Sequence, residues 1–186
     1  MTKKELYECL EDNPLIAAVH DNLFDEALKS PANVIFLLGC NLLNIHDRIN
    51  DAKKANKKIF IHIDLSEGIG KDKSGIEYLS RISADGIIST RTNLIRIAKE
   101  LGLLTVQRFF AYDSQGTESI SEVIYNSNPD VVEIMPGVIG KIIERFSGNS
   151  IPLIAGGLIE TKAEDTNALN CGAFAVSTGK KELWYI

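Results

Sequence analysis

The chain has 186 residues, 45% of them apolar and 24% charged, with a formal net charge of −5. That length can bury one sizeable core and is too short for two ordinary domains, so a single domain over residues 1–186 is expected. The acidic balance argues against gripping nucleic acid by bulk electrostatics, although a local basic patch is compatible with it. Cys9, Cys40 and Cys171 lie far apart and form no CxxC pair, which points to reduced thiols, as in the cytosol. No signal-peptide core follows Met1 and no apolar run approaches a membrane span, so a cytoplasmic protein without a membrane partner is expected.

In chain order, Thr2 and Glu5 form a capping box that opens a short helix. Leu15–Val19 is the first apolar strand, and Phe24, Ala27 and Leu28 share one helical face behind it. Val34–Leu38 is the second, with Leu42, Ile45, Ile49 and Ala52 striping its helix. Lys58–Leu65 is the third. Gly86–Ser89 is the fourth, trailed by Leu94, Ile97, Ala98 and Leu101, with Gly102 as a stop. Leu103–Phe109 and Asp130–Met135 are the fifth and sixth. Ile151–Leu158 and Ala173–Gly179 complete the set, and between them Thr161 with Glu164 repeats the capping box.

Apolar strands alternating with amphipathic helices require a parallel sheet, because parallel neighbours need a crossover. Eight such units match a closed (β/α)8 barrel of the TIM type, with an open doubly wound sheet as the alternative. Such barrels usually run to about 200 residues or more. The small size therefore predicts one or two abbreviated crossover helices.

The last two strands break into small residues at Gly156-Gly157 and Ser177-Thr178-Gly179. In a barrel these turns, backed by helix N-termini, form a cradle for phosphate, to which the two hydroxyls would add donors. Period 2 on the third strand points Phe60, His62 and Asp64 inward, and on the sixth it points Glu133 inward. On the fifth strand the expected inward residues are Thr105 and Gln107, with Arg108 at the strand end. Arg91 directly follows the fourth strand. Asp64, Arg91, Gln107, Arg108 and Glu133 are thus expected as polar side chains around the mouth. Lys71 and Lys73 are expected on its rim, and Phe109, Phe110 and Tyr112 offer aromatic platforms for unpaired bases. No nucleophile–base set or metal-ligand spacing stands out, so no catalytic residue, metal or cofactor is expected. A phosphate-handling isomerase or lyase, with Asp64 and Glu133 as acid and base, stays open as the alternative.

The blocks Ile61–Leu65 with Glu67-Gly68, Gly86–Arg91, Gln107–Asp113, Val132–Gly137, Ala155–Gly157 and Ser177-Thr178 with Leu183-Trp184 occur in order. Together they resemble the glycerol-3-phosphate-responsive antiterminator family, regulators of bacterial glycerol uptake operons. His20 departs from the resemblance, standing where arginine is frequent, as does Lys180, which adds charge beside the cradle. The resemblance implies a small barrel without enzymatic activity. It also implies that the protein binds glycerol 3-phosphate as effector and the leader messenger RNA of a glycerol operon as partner, as a monomer or a homo-oligomer. By position, Gly156, Gly157, Ser177, Thr178 and Gly179 would take the phosphate, and the five mouth residues would match the family's polar mouth.

Overall fold

The computed structural model describes residues 1–111, 114–148 and 150–185. Its strands are β1 (Leu15–His20), β2 (Val34–Gly39), β3 (Lys58–His62), β4 (Gly86–Ser89), β5 (Leu104–Phe110), β6 (Val131–Met135), β7 (Leu153–Gly156) and β8 (Ala175–Thr178). All pair in parallel in sequence order, and β8 returns to β1. The sheet closes, which sets the open doubly wound alternative aside.

The helices follow from the amphipathic stretches. They are α1 (Lys3–Asp12), α2 (Phe24–Lys29), α3 (Ile45–Lys54), α4 (Lys73–Arg81), α5 (Thr92–Glu100), α6 (Ser114–Ser127), α7 (Gly140–Ser147) and α8 (Lys162–Asn170). From α2 onward, each links successive strands. Two are abbreviated or replaced: α2 has six residues, and β8 is followed by a five-residue 3-10 helix, Lys181–Tyr185. That last turn is anchored by buried Trp184, whose Nε1 donates to the Thr178 carbonyl at 2.9 Å.

The first helix serves a different end. α1 lies across the amino-terminal end of the barrel, where Leu6 and Leu10 pack against the lower interior residues Ile16, Val34, Phe36, Phe60 and Leu104. Tyr7 donates to the Asp130 carbonyl just before β6, and its ring meets Phe174 edge-on just before β8. Among the described residues α1 therefore plugs the bottom of the barrel, and the carboxyl face is left open.

Side chains on the outward positions, such as Ile35, Ile61 and Ile87, pack under the helices in a second apolar layer. The interior is apolar below and polar above. Its upper layer holds His62, Arg108, Glu133 and Ser177, all buried.

Two strand readings are corrected. β3 ends at His62, and Ile63–Leu65 forms a 3-10 turn, leaving Leu65 exposed instead of packed under the helices. On β5 the inward set is Leu104, Val106 and Arg108, so Thr105 and Gln107 face the helices. A strand buried on both faces carries polar and apolar residues on each, so alternation alone does not fix its phase.

Candidate functional site at the carboxyl mouth

Glu133 and Arg108 are paired across the β5–β6 register, and Arg108 Nε donates to Glu133 Oε2 at 2.5 Å. The other carboxylate oxygen, Oε1, accepts from the Ser177 hydroxyl at 2.6 Å. Both oxygens of a fully buried carboxylate are thereby satisfied, as its desolvation demands. Gly156 is a glycine for this network's sake: a Cβ there would stand 2.5 Å from Glu133 Oε1 and 2.6 Å from Ser177 Oγ.

Above the network lies a cavity of about 400 Å³. Its walls are Ala18, His20 and Leu38 on one side and Met135 on the other, with Arg108 and Ser177 reaching it from below. The turns Gly157–Glu160 and Thr178–Lys180 complete it. In the first turn, Gly157 at φ 77° is followed by Leu158 at φ 62°, two left-handed residues in succession. A leucine in that region is held there at a cost, which is characteristic of functional turns. Lys180 stands at the rim, its Nζ 3.6 Å from Glu160 Oε1.

Of the expected cradle residues, Gly157, Ser177, Thr178 and Gly179 line this cavity, while Gly156 lies beneath it. The role expected of the hydroxyls is corrected. Thr178 Oγ1 donates its proton to the Ile159 carbonyl at 2.7 Å and accepts from the Lys180 N–H at 3.1 Å. Ser177 donates its proton to Glu133. Neither has a proton left for a phosphate oxygen. The helix N-termini are also arranged differently. α8 begins beyond Thr161, and Glu164 already accepts from the N–H groups of Glu160 and Thr161 at 2.9 Å each.

The other expected mouth residues do not reach the cavity. Asp64 spans from the end of β3 to the β4–α5 turn, where it accepts from Ser89, from Thr90 Oγ1 and from Thr90 N, the last at 2.7 Å. Arg91 lies beside it, Nε 3.5 Å from Asp64 Oδ1, with its side chain half exposed. Gln107 points outward and donates to Thr92 Oγ1 at the start of α5. Asp64 and Glu133 thus belong to separate hydrogen-bond networks and do not form a carboxylate pair. Lys71 turns back onto the carbonyls of Ser66 and Ile69. Phe109 is core, Phe110 is partly exposed at the strand end, and Tyr112 lies outside the described residues, as does Asp113.

His62 is buried within this upper layer, and its Nδ1 has no partner among the described residues. Burial, reinforced by the positive charge of Arg108, pushes its pKa down to about 4. Among the described residues no cluster of His, Cys, Asp and Glu could hold a metal ion, and no helix is long and apolar enough to cross a membrane.

Sequence reasoning missed Ala18, Leu38 and Ile159 as cavity walls. Period 2 carried to the ends of β1 and β2 would have found the first two; Ile159 lies in a turn and left no periodic signal.

The chain is 37% identical to the protein YgcP of Escherichia coli K12 over 185 residues, covering 96% of this chain and 95% of that one. A crystal structure of a glycerol uptake operon antiterminator regulatory protein from Listeria monocytogenes superposes with TM-score 0.88 at 33% identity, over 93% of this chain and 95% of that one. An antiterminator-related protein from Thermotoga maritima gives TM-score 0.82 at 32% identity, over 91% and 96%. Aldolase structures share the barrel at 9 to 14% identity, which shows the fold alone. The family model for the glycerol-3-phosphate responsive antiterminator matches residues 15–184, from the first residue of β1 to the tryptophan that anchors the last turn. The chain belongs to that family, and so to regulators of the antiterminator type, not to the enzymes that share its barrel.

Proposed function

We propose that this protein binds glycerol 3-phosphate in the carboxyl-face cavity and, so loaded, binds the leader RNA of a glycerol operon in the cytoplasm. The observation that carries the reading is the cavity itself: a space of about 400 Å³ at the β7–β8 turns, with Arg108 beneath and Lys180 at its rim. A guanidinium held by a buried carboxylate is fixed in direction, and its remaining N–H groups are donors suited to a ligand hydroxyl. The turn backbone of Gly157 and Gly179 would take the phosphate, and Arg108 and Ser177 would meet the glycerol portion. Nothing in the geometry favours the acid–base alternative, since both of its carboxylates are committed to separate partners.

Gly179→Val tests the location. A Cβ at Gly179 would stand 3.3 Å from the Ala18 carbonyl, a tight contact to which the backbone must yield by a few tenths of an ångström, and its branches would intrude on the cavity. Calorimetric titration is expected to show glycerol 3-phosphate binding to the wild type and at least tenfold weaker binding to Gly179→Val, with circular dichroism on the same variant confirming that the barrel is folded. Unchanged affinity in the variant would place the effector elsewhere.

A further inference from the structure

The Ser177 hydroxyl has one proton and two lone pairs. Its proton is committed to Glu133 Oε1 at 2.6 Å, because Glu133 is held by Arg108 at its other oxygen and only accepts. Ser177 also lines the cavity, and with its proton held by Glu133 its hydroxyl can serve a ligand only as an acceptor. Thr178, the neighbouring hydroxyl, is turned away onto the Ile159 carbonyl. The floor of the cavity therefore carries a donor, the Arg108 guanidinium, beside an acceptor that is fixed in direction and buried.

We propose that Ser177 is a specificity residue that selects a ligand hydroxyl by accepting its proton. This deepens the effector reading above and rests on it. A phosphate oxygen has no proton to give and would meet Ser177 lone pair to lone pair, so the phosphate is directed outward to the turns and Lys180. An alcohol on the adjoining carbons can donate to Ser177 while accepting from Arg108. The site thus asks for a short phosphate ester bearing at least one free hydroxyl, set inward of the phosphate. Glu133 acts through Ser177 and is a positioning residue. Without the Glu133 carboxylate the Ser177 hydroxyl would be free to turn and donate to phosphate, so the network is what fixes Ser177 as an acceptor.

The test compares glycerol 3-phosphate with propyl phosphate, which has the same carbon chain and no hydroxyl, by calorimetric titration. For the wild type, glycerol 3-phosphate is expected to bind about tenfold or more tightly, since propyl phosphate leaves the buried acceptor unmatched. In Ser177→Ala the preference is expected to shrink several-fold, through weaker glycerol 3-phosphate binding with propyl phosphate unchanged. Should Ser177→Ala fail to fold, Ser177→Cys carries the same comparison, keeping a donor to Glu133 while offering sulfur as a poor acceptor. Equal wild-type affinity for the two esters would overturn the hydroxyl selection while leaving the phosphate site standing. Equal weakening of both esters in the variant would also overturn it. Absence of binding by either ester to the wild type would overturn the effector reading as well.

Discussion

Arg108 and Glu133 are the residues whose environment constrains the site most. Removing one partner of a buried ion pair strands the other, at a cost of about 3–5 kcal/mol. Glu133→Gln keeps the size but leaves the Arg108 guanidinium without its counter-charge, so urea unfolding should show a loss of that order. A loss below about 1 kcal/mol would mean the pair is solvated and not buried as described. His62 gives a prediction in pH. Its folded pKa of about 4 lies below the ordinary histidine value of about 6.5, so the unfolded chain binds the proton more readily. The stability this neutral histidine allows is complete above about pH 6.5 and is lost as pH falls toward 4, amounting to about 2 kcal/mol by pH 5. His62→Gln should flatten that limb of the pH–stability curve, and an unchanged limb would assign the acid sensitivity to other groups. At this scale the sequence is legible at Glu133 and misleading at Gln107. Glu133 was placed inward because its strand neighbours Val132 and Ile134 are both apolar. Gln107 was placed inward wrongly, because Thr105 and Gln107 mimic a polar face when in fact they satisfy Asp130 and Thr92 from the helix-facing side.

At the scale of elements, periodicity carried nearly everything. Each strand appeared within a few residues of its predicted place, since apolar runs bounded by small residues have little alternative in a doubly covered sheet. Both capping boxes formed, as reciprocal hydrogen bonds between Thr2 and Glu5 and between Thr161 and Glu164. Leu42 was misread as part of the α3 stripe: the helix starts later, at Ile45, and Leu42 is 44% exposed in the preceding turn. The plugging role of α1 was invisible, because a helix packed across a barrel end presents the same amphipathic stripe as one packed along its side. Its importance can be measured. Leu10 is 1% exposed beneath the interior layer, and Leu10→Ala should cost about 2–5 kcal/mol by transfer and cavity formation. A loss under about 1 kcal/mol by chemical denaturation would show that α1 is dispensable to the closed barrel.

For the whole molecule, the closed bottom and open top leave one face on which a small anion and a larger partner can both act. The upper interior layer was legible as a set of polar residues but not as a network. Which carboxylate pairs with which cation depends on register between strands, and Arg108 meets Glu133 only because β5 and β6 align them. An effector that ties the β7–β8 turns to Arg108 would stabilise one arrangement of the mouth, and RNA preferring that arrangement would bind more tightly. With a net charge of −5, few phosphates can be neutralised, so the salt dependence of RNA binding should be shallow. Linkage makes the coupling reciprocal: whatever factor glycerol 3-phosphate contributes to RNA affinity, RNA must contribute to glycerol 3-phosphate affinity. The most direct measurement is therefore a titration of glycerol-operon leader transcript with and without saturating glycerol 3-phosphate, paired with a titration of glycerol 3-phosphate with and without transcript, at one fixed salt concentration. The account predicts tighter binding in both directions by the same factor; transcript affinity that is identical with and without glycerol 3-phosphate would contradict it.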